Sequence, residues 1–595
     1  MNGRKTITNG LKVLILVCLT GIVIFFVLNA IIRKKISQQL SRISSSLEIK
    51  YSGIHANILS SSVSFDSLDI NFIPYGNDTQ HKHHLSFAKF SLRGIRFFKF
   101  IFNKELFAND IITENTSIQL DSFLLATKDS LQPEIMQKIK WPVERIFIRN
   151  ISLRKIKLSS HNGQVDRPAG NGDISLGEVS IDKPGDSPSI GSIDVHLSEI
   201  DYSRGGYSVQ MPRLIINSTK KIAEADSLQI VSPDATASVA ALKITGFDLK
   251  KSLKHQTLVA KNIETNEIKV TDDNYRVEIK NSELSSENSF ARINNISISP
   301  SLDKYELGQK MRHQADWMRA SIPTIEIAKP DVEKLFQREL NAESIKVNDA
   351  RVYVFRDRRL PRQKKIIPLP MEYLRDLPMK VYVHSCKLAN ATIEYEEYPK
   401  NGYGKTGMLR IEKFNASVST LTNHSSFSES ASIIMTVDGS IMGTGTSHCT
   451  IEMPLQKGKP YKLDGIMEKL DLTKLNSSSE NLGKIHIKSG FLDFLSFNFL
   501  MTEERSTGKI IGAYHHLIIQ PYKKHEEEKN VADFASFMLR HFIIRLDKDV
   551  SMPVEKRTGL VNYKRDPTRM VSYYFLQSLL MGIKKSFTLG FLLPK

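Results

Sequence analysis

Beyond residue 50 the chain reads as apolar and polar positions in alternation. Val63 and Phe65 alternate with serines, and Leu68, Ile70 and Phe72 alternate with Asp69 and Asn71. The pattern returns at Ile174 and Leu176, at Val179 and Ile181, at Ile193, Val195 and Leu197, and at Ile485 and Ile487. A period of two sends apolar side chains to one face of a sheet and polar ones to the other. Many such runs, separated by Asp, Asn, Gly and Ser turns, predict a mainly β body. Residues 36–50 read as a short amphipathic helix leading into it.

The alternation is organised in repeats. Leu85 to Ile111 (LSFAKFSLRGIRFFKFIFNKELFANDI) aligns without a gap on Ala237 to Ile263 (ASVAALKITGFDLKKSLKHQTLVAKNI) at an offset of 152. Gly94 falls on Gly246, Leu106 on Leu258, Ala108 on Ala260 and Ile111 on Ile263. A third copy, Ile322 to Ile345, ends in the same Leu-x-Ala-x-x-Ile, at Leu340, Ala342 and Ile345. Each copy reads as strand, short helix, strand. In the third, Asp331 is placed to cap a helix whose Val332, Leu335, Phe336 and Leu340 share one face.

Both ends of the chain differ from this body. Val13 to Ile32 is an uncharged run of 20 residues, enough for a helix to cross the hydrocarbon core. It is longer than the apolar region of a cleavable signal, which predicts an uncleaved anchor. Basic residues flank it on both sides, so charge does not orient it. At the other end, Val531, Phe534, Phe537, Met538 and Phe542 recur at helical spacing. A second helix is expected after Pro567, with Leu576, Leu579, Leu580 and Ile583 on one side. Such helices either lie at a membrane interface or cap the open end of a sheet.

Composition narrows the function classes. The chain has 595 residues, 41% of them hydrophobic, only three cysteines, and a formal charge of +18. That excludes a wholly disordered chain, a polytopic membrane protein, a disulfide-stapled scaffold and a four-cysteine zinc site. Cys386 and Cys449 either pair or stand as two isolated thiols. Gly404-Lys405-Thr406 lacks the upstream glycine of a phosphate loop, because Pro399 stands there. His81, His83 and His84 have no Cys or paired acid beside them, so no metal is expected. No nucleophile–base constellation stands out, and neither enzymatic activity nor a cofactor is expected. Basic residues are dispersed rather than gathered into one arm, which favours an anionic membrane surface over nucleic acid as the partner.

The anchor, the strand-helix-strand unit ending L-x-A-x-x-I and the alternating strands after it (Ser117 to Asp121 among them) resemble the AsmA-like superfamily of Gram-negative envelope proteins. That superfamily includes the AsmA, TamB and YhdP groups. Residues 379–520 carry the second part of the resemblance. Its segments are KLANATIEYEE (Lys387 to Glu397), LRIEKFNASVS (Leu409 to Ser419), KLDLTKLN (Lys469 to Asn476), IHIKSGFLDFLSFNF (Ile485 to Phe499) and GKIIGAYHHLII (Gly508 to Ile519).

The resemblance implies a fold in four parts. Residues 1–35 form an inner-membrane anchor and 36–375 a repeat-built, curled and elongated β-groove with short helices. An AsmA-like β region follows at 376–524, and an amphipathic helical tail at 525–595. It implies a location in the inner membrane with the bulk in the periplasm, and phospholipids and envelope or outer-membrane proteins as partners. The implied function is to bind or conduct phospholipid acyl chains between membranes and so support outer-membrane homeostasis. The alternative is a non-transporting structural or assembly factor of the envelope. Phe65, Leu92, Ile118, Val195, Leu197, Ile325, Ile327 and Phe497 are the residues expected to line the groove.

Overall fold

The computed structural model describes residues 47–586, apart from 58–59, 73–82, 97–98, 100–102, 104, 120–143, 162–165, 184–187, 205, 256–258, 401–404, 425–430, 483–484 and 522–543. The apolar run at 13–32 and the expected helix at 531–542 lie outside the described residues. No helix among the described residues is long and apolar enough to cross a membrane. Strand accounts for 66% of the structure and helix for 12%, so the body is mainly β. It divides into two compact units, one up to Lys269 and one from Val270.

The first unit is a ladder of sequential strands. These are β1 (Leu47–Asn57), β2 (Ser62–Phe72), β3 (His83–Arg93), β4 (Glu105–Gln119), β5 (Arg145–His161), β6 (Asp166–Ile181), β7 (Ser192–Arg204), β8 (Tyr207–Asn217), β9 (Ile222–Val231) and β10 (Ala235–Thr245). Each pairs antiparallel with the next, except that β4 and β5 run parallel. The short helix α1 (Leu249–His255) and strand β11 (Asn262–Asp272) follow. Residues 47–50, expected at the end of an amphipathic helix, instead open β1. Ile49 lies opposite Ile70 there, and pairing with β2 overrides the weak helical pattern.

The second unit begins with β12 (Tyr275–Ser285), β13 (Phe290–Pro300), helix α2 (Glu306–Met311) and β14 (Asp316–Ala328). The long strand β14 pairs with two short ones. Its end meets β15 (Glu339–Asn348) and its start meets β16 (Arg351–Asp357). Both run parallel to β17 (Lys380–Tyr398), so together they fill one strand position. Helix α3 (Val332–Phe336) precedes β15, and α4 (Pro370–Arg375) precedes β17. An antiparallel series follows: β18 (Gly407–Thr422), β19 (Ser432–Ile441), β20 (Gly445–Pro454), β21 (Tyr461–Asp471), β22 (Ile485–Met501) and β23 (Arg505–Pro521). Helix α5 (Asn476–Asn481) lies between β21 and β22.

The tail is not purely helical, contrary to the expectation. Strands β24 (Ile544–Lys548) and β25 (Thr558–Lys564) both add to β23 before the final helix α6 (Val571–Ser586). The short β-branched and aliphatic runs there have a ready ladder partner in β23 and need no helical face of their own.

The repeat is visible bond for bond. Gly94 and Gly246 both take left-handed backbone, at φ of +66° and +67°. Two residues on, the Arg96 N–H donates to the Phe107 carbonyl, and the Asp248 N–H to the Val259 carbonyl. In the third copy the Asp331 N–H donates to the Asn341 carbonyl, and left-handed Lys329 replaces the glycine. The Asp248 carboxylate caps α1 by accepting from the Lys251 N–H (2.9 Å), and Asp331 caps α3 through the Lys334 N–H (3.0 Å). Asp471, which accepts from the Thr473 N–H (3.0 Å), opens a similar turn before β22. Ala108, Ala260 and Ala342 are all buried.

Many strands carry an interior residue in the left-handed region. Asn115, Lys155, Glu178, Glu199 and Ala241 do so in the first unit, and Asn281, Asn295, Asn390, Lys413, Lys469 and His516 in the second. Several mark register shifts, as between Leu153 and Ile156 and between Leu388 and Ala391. Each such bulge bends its strand and reverses which parity of residue faces inward. A run of bulges across neighbouring strands curls the layer, so one face of each unit becomes an inside.

Candidate functional site: an apolar inner face

Residues directly opposite one another in a ladder share a face, so inner-face rows can be traced strand by strand. In the first unit one row runs Phe65, Phe90, Thr113, Leu153, Ile174, Val195, Ile216, Ala223, Ile244, one residue from each of β2 to β10. A second carries Leu197, Leu214, Ala225 and Leu242 across β7 to β10. Burial changes along the row. Phe90, Thr113 and Leu153 are wholly enclosed, whereas Ile174, Ile216, Ala223 and Ile244 are only half-buried. The start of the unit is a solid core, with Phe65 and Phe87 edge-on to Phe90 at 6.0 and 5.9 Å. From β8 to β10 the inner face is incompletely covered.

The second unit repeats the arrangement. One row runs Ile293, Ile325, Val347, Leu388, Ala416, Val437, Cys449, Gly465, Phe497, Ile510. Beside it run Ala291, Ile327, Ile345, Cys386, Val418, Met435, Ile451, Leu463 and Phe499. From Ile325 to Ile451 these side chains are half-buried; Leu463, Phe497, Phe499 and Ile510 are buried. A cavity of about 310 Å³ opens on this face beside α4, lined by Met371, Leu374, Leu377, Leu421, Ile433 and Met453. The Met371 N–H donates to the Tyr461 hydroxyl (3.0 Å), which holds α4 at its edge.

Helix α6 closes the far end. Its buried residues are Tyr574, Ser578, Leu579, Gly582 and Ser586, and Leu576 is exposed. Of the leucine face expected from the sequence, Leu579 is buried and Ile583 packs against the core, while Leu576 is exposed. The small residues recur every four and let the helix approach the sheet closely at Gly559, while Phe575 packs edge-on to Phe497 (5.5 Å) and Phe499 (6.1 Å). The Tyr574 hydroxyl donates to the Thr502 carbonyl (3.2 Å), and burial pushes its pKa up to about 12.

All eight residues expected to line the groove lie on these rows or on the neighbouring ones. Leu92 is opposite Val63 and Ile111, and Ile118 is opposite Leu85 and Leu158. They do not share one environment. Phe65, Leu92, Ile118 and Val195 pack in the solid core of the first unit, and Phe497 lies under α6. Leu197, Ile325 and Ile327 are half-buried and border the uncovered face. Leu214, Ile216, Val347, Val418 and Met435, which the sequence reading left out, belong with them.

The outer faces are polar and cross-linked between strands. Arg213 of β8 grips Asp226 of β9 in a bidentate pair, with contacts of 2.6–3.0 Å. Lys329 bridges Glu343 (2.7 Å) and Lys462 bridges Glu452 (2.9 Å). Cys386 and Cys449 are both free, on β17 and β20. Burial pushes the Cys449 thiol up to about 11, away from thiolate chemistry. Among the described residues no group of three His, Cys, Asp or Glu side chains is placed to hold a metal ion. No protein-family model matches the chain, and no curated protein matches it.

Proposed function

We propose that this protein is a non-enzymatic β-groove protein, anchored in the inner membrane by residues 13–32 with its bulk in the periplasm. It binds or conducts phospholipid acyl chains along its inner face and so supports outer-membrane homeostasis. The observation that carries the reading is the run of apolar rows whose cover is incomplete over β8–β10 and again from β14 to β20. Apolar side chains left half-covered on a concave face favour an apolar guest, which removes the remaining area from water at about 25 cal/mol per Å². The polar, ion-paired outer face keeps such a sheet soluble.

The solid start of the first unit favours a second reading, a structural or assembly factor filled by its own side chains. The two readings part at specific positions. A photoreactive amino acid at Leu214 or Ile325 in cells should capture phospholipid, and one at Phe90 should not. Ile325→Asp should abolish capture while the chain stays folded. Absence of lipid at both half-buried positions would leave the structural reading standing alone.

A further inference from the structure

On β14 and β16 the inner face ends in charge. Ile298, Ala320, Val352 and Ile393 form an apolar row. Four residues further along the strands, about 13 Å away, Asp316, Arg356 and Glu397 stand opposite one another on the same face. Arg356 grips Asp316 with two contacts of 2.6 Å, and Arg358 reaches Glu397 at 2.9 Å. The connector after β16 then crosses to the loop before α6. There Arg362 meets Asp566 (2.9 Å), and the Ile367 N–H donates to the Pro567 carbonyl (2.8 Å). The Met570 sulfur lies 3.8 Å from the Arg356 guanidinium.

Arg569 sits in this loop. It stacks over the Tyr573 ring at 4.6 Å and has no carboxylate partner among the described residues. Its Nε is buried with no acceptor. Burial lowers its pKa, and so do Arg362, Arg358 and Arg356, which places all four guanidinium groups within electrostatic reach. Asp566 is already occupied by Arg362 and by the Thr568 N–H and hydroxyl. Helix α6 begins directly afterwards and has no acidic residue in its first turn. The cluster therefore carries uncompensated positive charge, from Arg569 and from Arg565, which donates to the Ile367 carbonyl and has no carboxylate partner among the described residues, beside the positive end of a 16-residue helix. Left empty, that arrangement costs stability through desolvation and like-charge repulsion.

We propose that Arg569, with Arg362 and the start of α6, binds a phosphate group at the mouth of the second unit's apolar face. The two terminal nitrogens of a guanidinium that no carboxylate engages match phosphate oxygens bidentately. The phosphate comes either from a lipid headgroup, whose tails would then lie on the apolar rows, or from free phosphate. The lipid source alone rests on the groove reading above.

Titration of the full chain in nonionic detergent separates these. The probes are dihexanoyl phosphatidylglycerol, dihexanoylglycerol and inorganic phosphate. The wild type should bind phosphatidylglycerol at least ten-fold more tightly than the diacylglycerol, a typical value for a charge-assisted pair. Arg569→Gln should erase that preference, leave diacylglycerol binding unchanged and leave the melting temperature equal or higher; Arg569→Lys should restore part of it. If phosphate binds in an Arg569-dependent way and neither lipid binds, the anion site stands and the groove reading falls. Undiminished preference in Arg569→Gln would overturn the site. So would a drop in melting temperature as large as that of Arg362→Gln, because Arg569 would then be a structural group.

Discussion

The seating of α6 on the sheet depends on two glycines, and Gly559→Ala tests it. A β-carbon at Gly559 would lie 2.1 Å from the Gly582 carbonyl oxygen and 2.7 Å from the Ser586 nitrogen. Both are helix backbone, so neither can rotate away. The first contact falls about 1.3 Å short of the 3.4 Å at which ordinary contact begins, so the helix must move outward. That movement strains the buried Ser506–Ser578 hydroxyl pair, the Tyr574 hydroxyl bond to Thr502, and the packing of Phe575 on Phe497. Overpacking of this kind costs roughly 1–3 kcal/mol. A value near 2 kcal/mol lowers the melting temperature by about 3 °C in a unit that runs from Val270 onward. Leu576→Ala, on the exposed side of the same helix, should change the unfolding free energy by less than about 0.5 kcal/mol. Differential scanning calorimetry of the detergent-solubilised chain measures both. Under the same logic Gly559→Ala should raise binding of an environment-sensitive apolar dye, because Phe497, Phe499 and Ile510 lose their cover. An unchanged melting temperature in Gly559→Ala would refute the close helix–sheet contact.

Two further outcomes follow from individual groups. The Thr568 hydroxyl and the Arg362 guanidinium hold the Asp566 carboxyl down to about 2. Its folded value lies below its unfolded one, so its stabilisation is complete above about pH 4 and is lost as pH falls toward 2. The stability gap between wild type and Arg362→Gln, from urea titrations, should be widest near pH 5 and close by pH 2; a gap constant across that range would contradict the pairing. The two described thiols should resist alkylation by iodoacetamide at pH 8 in a Cys18→Ser background and react fully in denaturant. Burial raises both pKa values, Cys449 to about 11. A disulfide-linked peptide containing Cys386 and Cys449 in the native digest would contradict their placement.

How much of this was legible beforehand depends on whether a signal was local or geometric. The 152-residue offset was legible because each copy needs the same left-handed turn, the same carbonyl acceptor and the same small buried alanine. The alternation was legible only in short stretches, and the bulges are the reason. Leu388 faces inward, Asn390 is left-handed, and Ala391 and Ile393 then continue the inner face from the other parity. A reader counting in twos loses the phase at Asn390. Asn tolerates left-handed backbone and so gives a weak signal, but nothing in a Lys or Glu announces a bulge, because its φ is stabilised by the neighbouring strands rather than by its own side chain. The basic cluster had a local signal that went unused: six of the ten residues from Arg356 to Lys365 are Arg or Lys. What made it a site, the arrival of Arg569 from more than 200 positions downstream, is purely tertiary.

The face of α6 shows most clearly why apolar pattern alone misleads at contacts of this kind. Hydrophobicity points to Leu576, Leu579, Leu580 and Ile583, of which only Leu579 is buried, while Tyr574, Ser578, Gly582 and Ser586 line up every four residues against the sheet. A helix rich in leucine stands off from its partner by the length of those side chains. One with Gly and Ser on the contact face can bring its backbone to the sheet and satisfy the hydroxyls there, as Ser578 does with Ser506 and Ser586 with the Arg557 carbonyl. The close approach also sets where α6 begins, because a helix lying directly on β25 starts at the loop that Arg362 and Asp566 tie to the β16 connector. The small-residue face and the arginine cluster are thus consequences of one packing choice. The same seating that plugs the end of the apolar rows brings a positive helix end and an unpaired guanidinium to their mouth.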